Sequence, residues 1–234
     1  MAIAKQSLGS PAQLNQYTSF IGNIMASRIS ALWDFSGPAF TISSEENSVY
    51  RCIEVAENLM QTTAVEAVII ASVDLAGSLE NVSLRQRFAP LCGDANVAAD
   101  ILQAKGWLVG EGAGAFVVKA QSALNGQTSY ATINALSFAD GVDSDAIIKA
   151  SEQACALANI TAQQISYVEA FASGVERENQ AEKSAFAKRY PTAKIASVKS
   201  QIGHLYNASG MFSVLKTALF LDKKQRQLFV RSMA

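Results

Sequence analysis

Residues 165–221 read ISYVEAFASG (165–174), VERENQAEKSAFAKRYPTAK (175–194), IASVKSQIGH (195–204) and LYNASGMFSVLKTALFL (205–221). Ile165 to Phe171 and Ala193 to Val198 are short apolar runs of strand length, and each is followed by a longer segment with helical character, near Asn179 to Arg189 and from Ser209 to Leu221. A strand–helix–strand–helix order implies βαβ units, and hence a mostly parallel sheet covered on both faces.

The same alternation extends upstream. Tyr130 to Leu136 reads as a strand before a helix around Asp143 to Leu157, and Val65 to Val73 (VEAVIIASV) is a β-branched run suited to a buried central strand. Trp107-Leu108-Val109, the glycine-rich Gly110 to Gly114 and Ala115 to Val118 read as strand, junction, strand, whereas residues 75–105 look irregular or mixed. From Phe20 to Leu32, apolar residues recur at helical spacing and predict a helix with one buried face, ended by Gly37-Pro38. Ser43 stands three residues before Glu46, the pattern of a capping box, and Val49, Ile53, Ala56 and Leu59/Met60 supply the stripe of the helix it would open.

With 234 residues, half of them apolar and 17% charged, the chain can build one large core or two small ones. A formal net charge of −1 with scattered Lys and Arg argues against nucleic acid as a partner. Cys52, Cys92 and Cys155 lack metal-ligand spacing and read as small buried hydrophobes in a reducing compartment. No segment approaches the roughly 20 apolar residues needed for a membrane span, and a cytoplasmic location is expected.

Three features could carry chemistry. Gly110 to Gly114 precedes a strand instead of opening a helix, so it reads as a turn that permits close backbone packing and not as a dinucleotide fingerprint. His204, the sole histidine, sits at a strand end before a helix that Asn207 or Ser209 could cap, and is either a satisfied structural residue or a catalytic one. Glu46, in a first helical turn, suits a cap as well as a chemical role, and no other carboxylate forms an evident pair with it along the chain.

Taken together and in order, several of these segments resemble the signatures of the β-ketoacyl synthases, the condensing enzymes of thiolase-like fold. Residues 37–48, Gly-Pro-Ala-Phe-Thr-Ile-Ser-Ser-Glu-Glu-Asn-Ser, are similar to the nucleophile segment, with Glu46 at the position of the acylated Cys. Val168 to Val175, running without a gap to Glu182, resembles the Glu-Ala-His-Gly-Thr-Gly-Thr stretch, with Phe171 at the first catalytic His. Val198 to His204 resembles the Lys-Ser-Asn-Ile-Gly-His segment, keeping Lys199 and His204 and changing Asn to Gln201, and Trp107 to Gly114 resembles the Gly-Glu-Gly-Ala-Gly turn. Residues 19–29, 32–38 and 45–49 look most like the ketosynthase-like regions of bacterial omega-3 polyunsaturated fatty acid synthases.

The resemblance implies an α/β thiolase-like layered fold (α-β-α-β-α) with mostly parallel sheets, incomplete at both ends. Residues 1–16 would be an extension, 17–124 the later part of the N-terminal half, 125–222 the first part of the C-terminal half, and 223–234 a tail. A carboxylate cannot form a useful thioester and a phenyl ring offers no proton, so condensation is not expected. Cys52, six residues beyond Glu46 and almost two helical turns away, reads as a packed core residue. The implied role is scaffolding, pairing or chain-length control, first as the degenerate domain beside an acyltransferase and second as the chain-length-factor half of a ketosynthase pair. A malonyl-carrier-protein decarboxylase using His204, a residual acyltransferase or condensing enzyme, and a functionless remnant are the rivals. Implied partners are a second copy or an active ketosynthase, an acyltransferase domain and acyl carrier protein. The carrier's phosphopantetheine arm would present the substrate, with no cofactor held by the chain itself. The helix after Ser43 and the strand at 65–73 would lie at the dimer interface.

Overall fold

The structure is a computed structural model that describes residues 21–75, 77–93, 102 and 105–224. Phe20, the expected extension and nearly all of the expected tail lie outside those residues. The described residues fall into two compact units, divided between Ser43 and Ser44.

In the first unit, α1 (Gly22–Trp33) ends at Asp34, whose left-handed backbone turns the Phe35 N–H onto the Ser30 carbonyl at 2.9 Å. The helix is where its spacing predicts, but none of its residues is buried, so the expectation of a buried face is corrected. Periodicity reports which face could be covered; it does not supply the cover.

The second unit opens with a 3₁₀ turn, Glu45–Asn47, leading into α2 (Ser48–Thr62). The expected Ser43–Glu46 capping box does not form. The caps are Ser44 and Asn47, and neither side chain makes a capping bond. Instead the Ser48 hydroxyl accepts from the Ser44 N–H at 2.9 Å and donates to the Glu45 carbonyl at 2.6 Å. One side chain thereby closes the tight turn from its far end, and the Glu46 carboxylate is left for other contacts.

Strand β1 (Ala67–Asp74) pairs with β2 (Gly112–Lys119) in an antiparallel ladder, from Ala67 opposite Lys119 to Asp74 opposite Gly112. Between them lie α3 (Leu79–Arg85), capped by the Ser78 hydroxyl, and the Pro90–Trp107 region. Then follow α4 (Ser144–Leu157), β3 (Tyr167–Glu169), α5 (Glu176–Arg189), β4 (Lys194–Ala196), the short α6 (Lys199–Ile202) and α7 (Ser209–Lys224). Asp143 caps α4 by accepting from the Ala146 N–H. β3 and β4 are parallel, as the βαβ reading requires, and parallel bridges join Leu91 to Trp107 and Val109 to His204. The longest ladder is nevertheless antiparallel, because a connection with no full crossover helix among the described residues can return the chain beside its own strand. Tyr130 to Leu136 forms no strand: an apolar run becomes a strand only with a partner for its backbone, and no described segment pairs with it.

Among the described residues, two buried clusters hold this unit. One gathers Ile147, Ala154, Ile165, Val168, Ala185 and Phe186 from α4, α5 and the β3 region. The other gathers Val49, Tyr50, Ile53, Ala56, Ile70 and Met211 from α2, β1 and α7. Each large side chain so buried contributes about 1.5–3 kcal/mol of transfer free energy.

Candidate functional site

The glycine-rich segment 106–110 is the spine of the site, with one site loop held on each side. The Gly106 N–H donates to the Gly174 carbonyl at 2.9 Å, and the His204 N–H donates to the Leu108 carbonyl at 2.8 Å. A Cβ on Gly110 would lie 2.3 Å from the Ile202 carbonyl oxygen, and one on Gly203, at φ +77°, 2.3 Å from the Val109 oxygen. Only hydrogen at both positions lets the two backbones close. β2 follows the glycines and no helix does, so the close-packing reading holds over the dinucleotide one.

Glu46, Phe171, Lys199 and His204, scattered over 159 positions of sequence, meet in this unit. Glu46 comes from the 3₁₀ turn, Phe171 from the loop after β3, and Lys199 and His204 from either end of α6. Glu45, Ala172 and Tyr206, each within two residues of a site residue, have left-handed backbone (φ +49°, +48° and +43°). Such conformations cost about 1–3 kcal/mol each and persist where surrounding contacts enforce them.

The protonation state of His204 follows from its partners. Nδ1 accepts from the Tyr206 N–H at 3.1 Å. The Ser209 hydroxyl is 3.3 Å from Nδ1 and already accepts from the Leu205 N–H, so its own proton is directed at the imidazole. Two donors on Nδ1 leave the proton on Nε2, which faces Lys199 Nζ at 3.3 Å and Glu46 Oε1 at 4.0 Å. Burial, then the charges of Lys199 and Arg85, pull the His204 pKa down to about 2. The ring is therefore neutral, and the Glu46 approach is a polar contact and not an ion pair.

Lys199 is buried, with Nζ 3.5 Å above the centre of the Phe171 ring. Burial lowers its pKa to about 7 against the opposing pull of Glu182, Glu46, Glu178 and Glu169. Phe171 presents its edge to His204, with ring centroids 5.7 Å apart. Glu182 accepts the Phe171 N–H at 2.8 Å and the Ala172 N–H at 2.7 Å, and burial raises its pKa in spite of those bonds.

Sequence reasoning misses Tyr206 and Arg85. The Tyr206 ring stacks on His204 at 4.4 Å, and the Arg85 guanidinium lies 3.0 Å over that same ring. Tyr206 could be flagged only by lying two residues past His204, while nothing local points to Arg85. Ser209, expected as a cap, instead holds the Leu205–His204 turn.

Glu46, Phe171, His204 and Tyr206, but not Lys199 or Arg85, line a cavity of about 440 Å³, whose lining also includes Glu45, Tyr50, Trp107, Val142, Ile147, Ser173, Glu178 and Glu182. Glu46 is thus brought beside two carboxylates of α5, a grouping that spacing along the chain does not reveal. Cys52 does not line the cavity, and burial raises its pKa, which keeps the thiol protonated and unreactive.

This helix–strand chain, whose Glu45–Asn47 turn, two site loops and glycine spine converge on the cavity, has the thiolase-like fold of the ketosynthases. The β-ketoacyl synthase N-terminal domain matches residues 3–123 and the β-ketoacyl synthase C-terminal domain residues 121–228, and the chain belongs to the β-ketoacyl synthase family. It is 36% identical over 224 residues to one of the proteins that make up the polyunsaturated fatty acid synthase of Thraustochytrium sp., covering 89% of this chain and 11% of that protein. It is similar to the solved structure of a PfaC keto synthase–chain length factor, with 58% identity and a TM-score of 0.89 over 97% of this chain and 24% of that one. The ketosynthase from module 6 of the bacillaene synthase of Bacillus subtilis 168 shares the fold at 22% identity and a TM-score of 0.77, over 95% of this chain and 44% of that one. The chain thus spans only about a tenth of that curated relative and a quarter of the first of these structures. No helix among the described residues is long and apolar enough to cross a membrane.

Proposed function

We propose that this chain is a non-condensing ketosynthase-like half, of chain-length-factor type, within a polyunsaturated fatty acid or polyketide-type synthase. The observation that carries the reading is the cavity itself: about 440 Å³, lined by Glu46 and Phe171, which the resemblance puts at the positions of the acylated Cys and the first His, with a neutral His204 and, among the described residues, no cysteine in its lining. Condensation requires a thiolate to carry the acyl group and donors for the developing oxyanion, and one neutral imidazole N–H cannot supply both. The similarity to a keto synthase–chain length factor supports the chain-length reading over the domain beside an acyltransferase.

In this role the chain pairs with an active ketosynthase or a second copy and receives acyl groups on the phosphopantetheine arm of acyl carrier protein. The outward face of β1 and β2 suits such pairing, since Ile69 (50% exposed), Val73 (46%) and Val117 (59%) leave an apolar strip uncovered.

The test is incubation of the chain with malonyl-acyl carrier protein and an acyl thioester, alone and with an active ketosynthase, following carbon dioxide, covalent adducts by intact mass, and product. The expected result is no adduct, carbon dioxide or condensation product from the chain alone. Carbon dioxide release abolished by His204→Ala would instead establish the decarboxylase.

A further inference from the structure

Resting on that reading, we infer that the cavity selects its ligand by charge, admitting an uncharged acyl thioester and rejecting one whose acyl group ends in a carboxylate. Four carboxylate side chains line it, Glu45, Glu46, Glu178 and Glu182, and among the described residues no Lys or Arg does. The two cations that act on His204 are turned to other partners: Lys199 Nζ lies over the Phe171 ring and 3.3 Å from His204 Nε2, and Arg85 lies over the Tyr206 ring.

The backbone donors of the Phe171 turn and the imidazole are engaged as well. The N–H groups of Phe171 and Ala172 are both taken by Glu182. His204 Nδ1 is an acceptor, and its Nε2 proton faces Lys199 and Glu46. A carboxylate entering this space gives up its hydration, meets like charge and finds no Lys or Arg in the described lining to pair with. An uncharged acyl chain meets Val142, Ile147 and the Phe171 ring, and requires none of these.

The experiment measures binding of butyryl-pantetheine and malonyl-pantetheine, thioesters without phosphate, to the full chain by ligand-detected NMR, with Glu46→Gln and Glu178→Gln alongside. The butyryl thioester is expected to bind about tenfold or more tightly, and both variants to narrow the ratio by strengthening malonyl binding alone. Equal or tighter malonyl binding overturns the inference, as does a ratio unmoved in both variants, or no binding of either thioester to a chain whose circular dichroism shows it folded. A chain that binds both thioesters equally yet releases no carbon dioxide overturns the selection and leaves the non-condensing reading in place.

Discussion

Lys199 is a buried amine with its ammonium shell replaced by an aromatic face and one imidazole nitrogen. Its pKa lies at about 7 in the folded chain against an ordinary value of 10.5. Between those values the unfolded chain binds a proton that the folded chain does not, so the stability contributed by this residue rises with pH across the window and is lowest below it. Lys199→Met removes that dependence. In urea titrations at about pH 7 and about pH 9, the stability of the natural chain relative to the variant is expected to grow with pH, by up to about 1.4 kcal/mol per pH unit. A flat difference would mean that the amine keeps its proton. Four of the residues gathered here, Glu46, Phe171, Lys199 and His204, each fall on a recognisable segment of sequence, whereas Tyr206 and Arg85 do not. The protonation states were not legible there, because they depend on burial and on partners such as Ser209 and Arg85.

Among the elements, the spine at 106–110 determines whether the site exists. It is joined on one side to the Phe171–Gly174 loop and on the other to the Gly203–His204 turn, through contacts that leave no room for a methyl group. Gly203→Ala places a Cβ against the Val109 carbonyl and forces a left-handed backbone on alanine. The expected loss is about 3 kcal/mol or more in denaturant unfolding, with His204 released from the Leu108 carbonyl and hence readier to protonate in NMR titration. A nearly neutral effect on both readouts would show that the turn relaxes without disturbing the imidazole. Most helices were legible, Ser144–Leu157 almost to the residue, because Asp143 and the apolar period specify it locally. The turn at Glu45–Asn47 was not, since Ser48 closes it from beyond the expected cap.

At the scale of the whole molecule, the outer face of the β1–β2 pair is an apolar strip, with Ile69 directly opposite Val117. A two-stranded ladder with such a face gains by being covered. In sedimentation velocity, the chain is expected to run heavier than its 24.9 kDa monomer, and Ile69→Lys combined with Val117→Lys to return it to monomer without loss of helical signal. A monomeric natural chain would remove this strip as a self-pairing surface.

The sequence by itself determined the family, the alternation of helices and strands from 144 onward, and the segments that carry Glu46, Phe171, Lys199 and His204. All of these rest on residue type and short-range spacing, which chain connectivity carries. Tertiary structure decided that β1 and β2 run antiparallel, that Tyr130 to Leu136 makes no strand, and that Glu46, Glu178 and Glu182 line one cavity with a neutral imidazole. Strand pairing, desolvation and the field of neighbouring charges are properties of groups brought together from distant positions, and no window of sequence contains them.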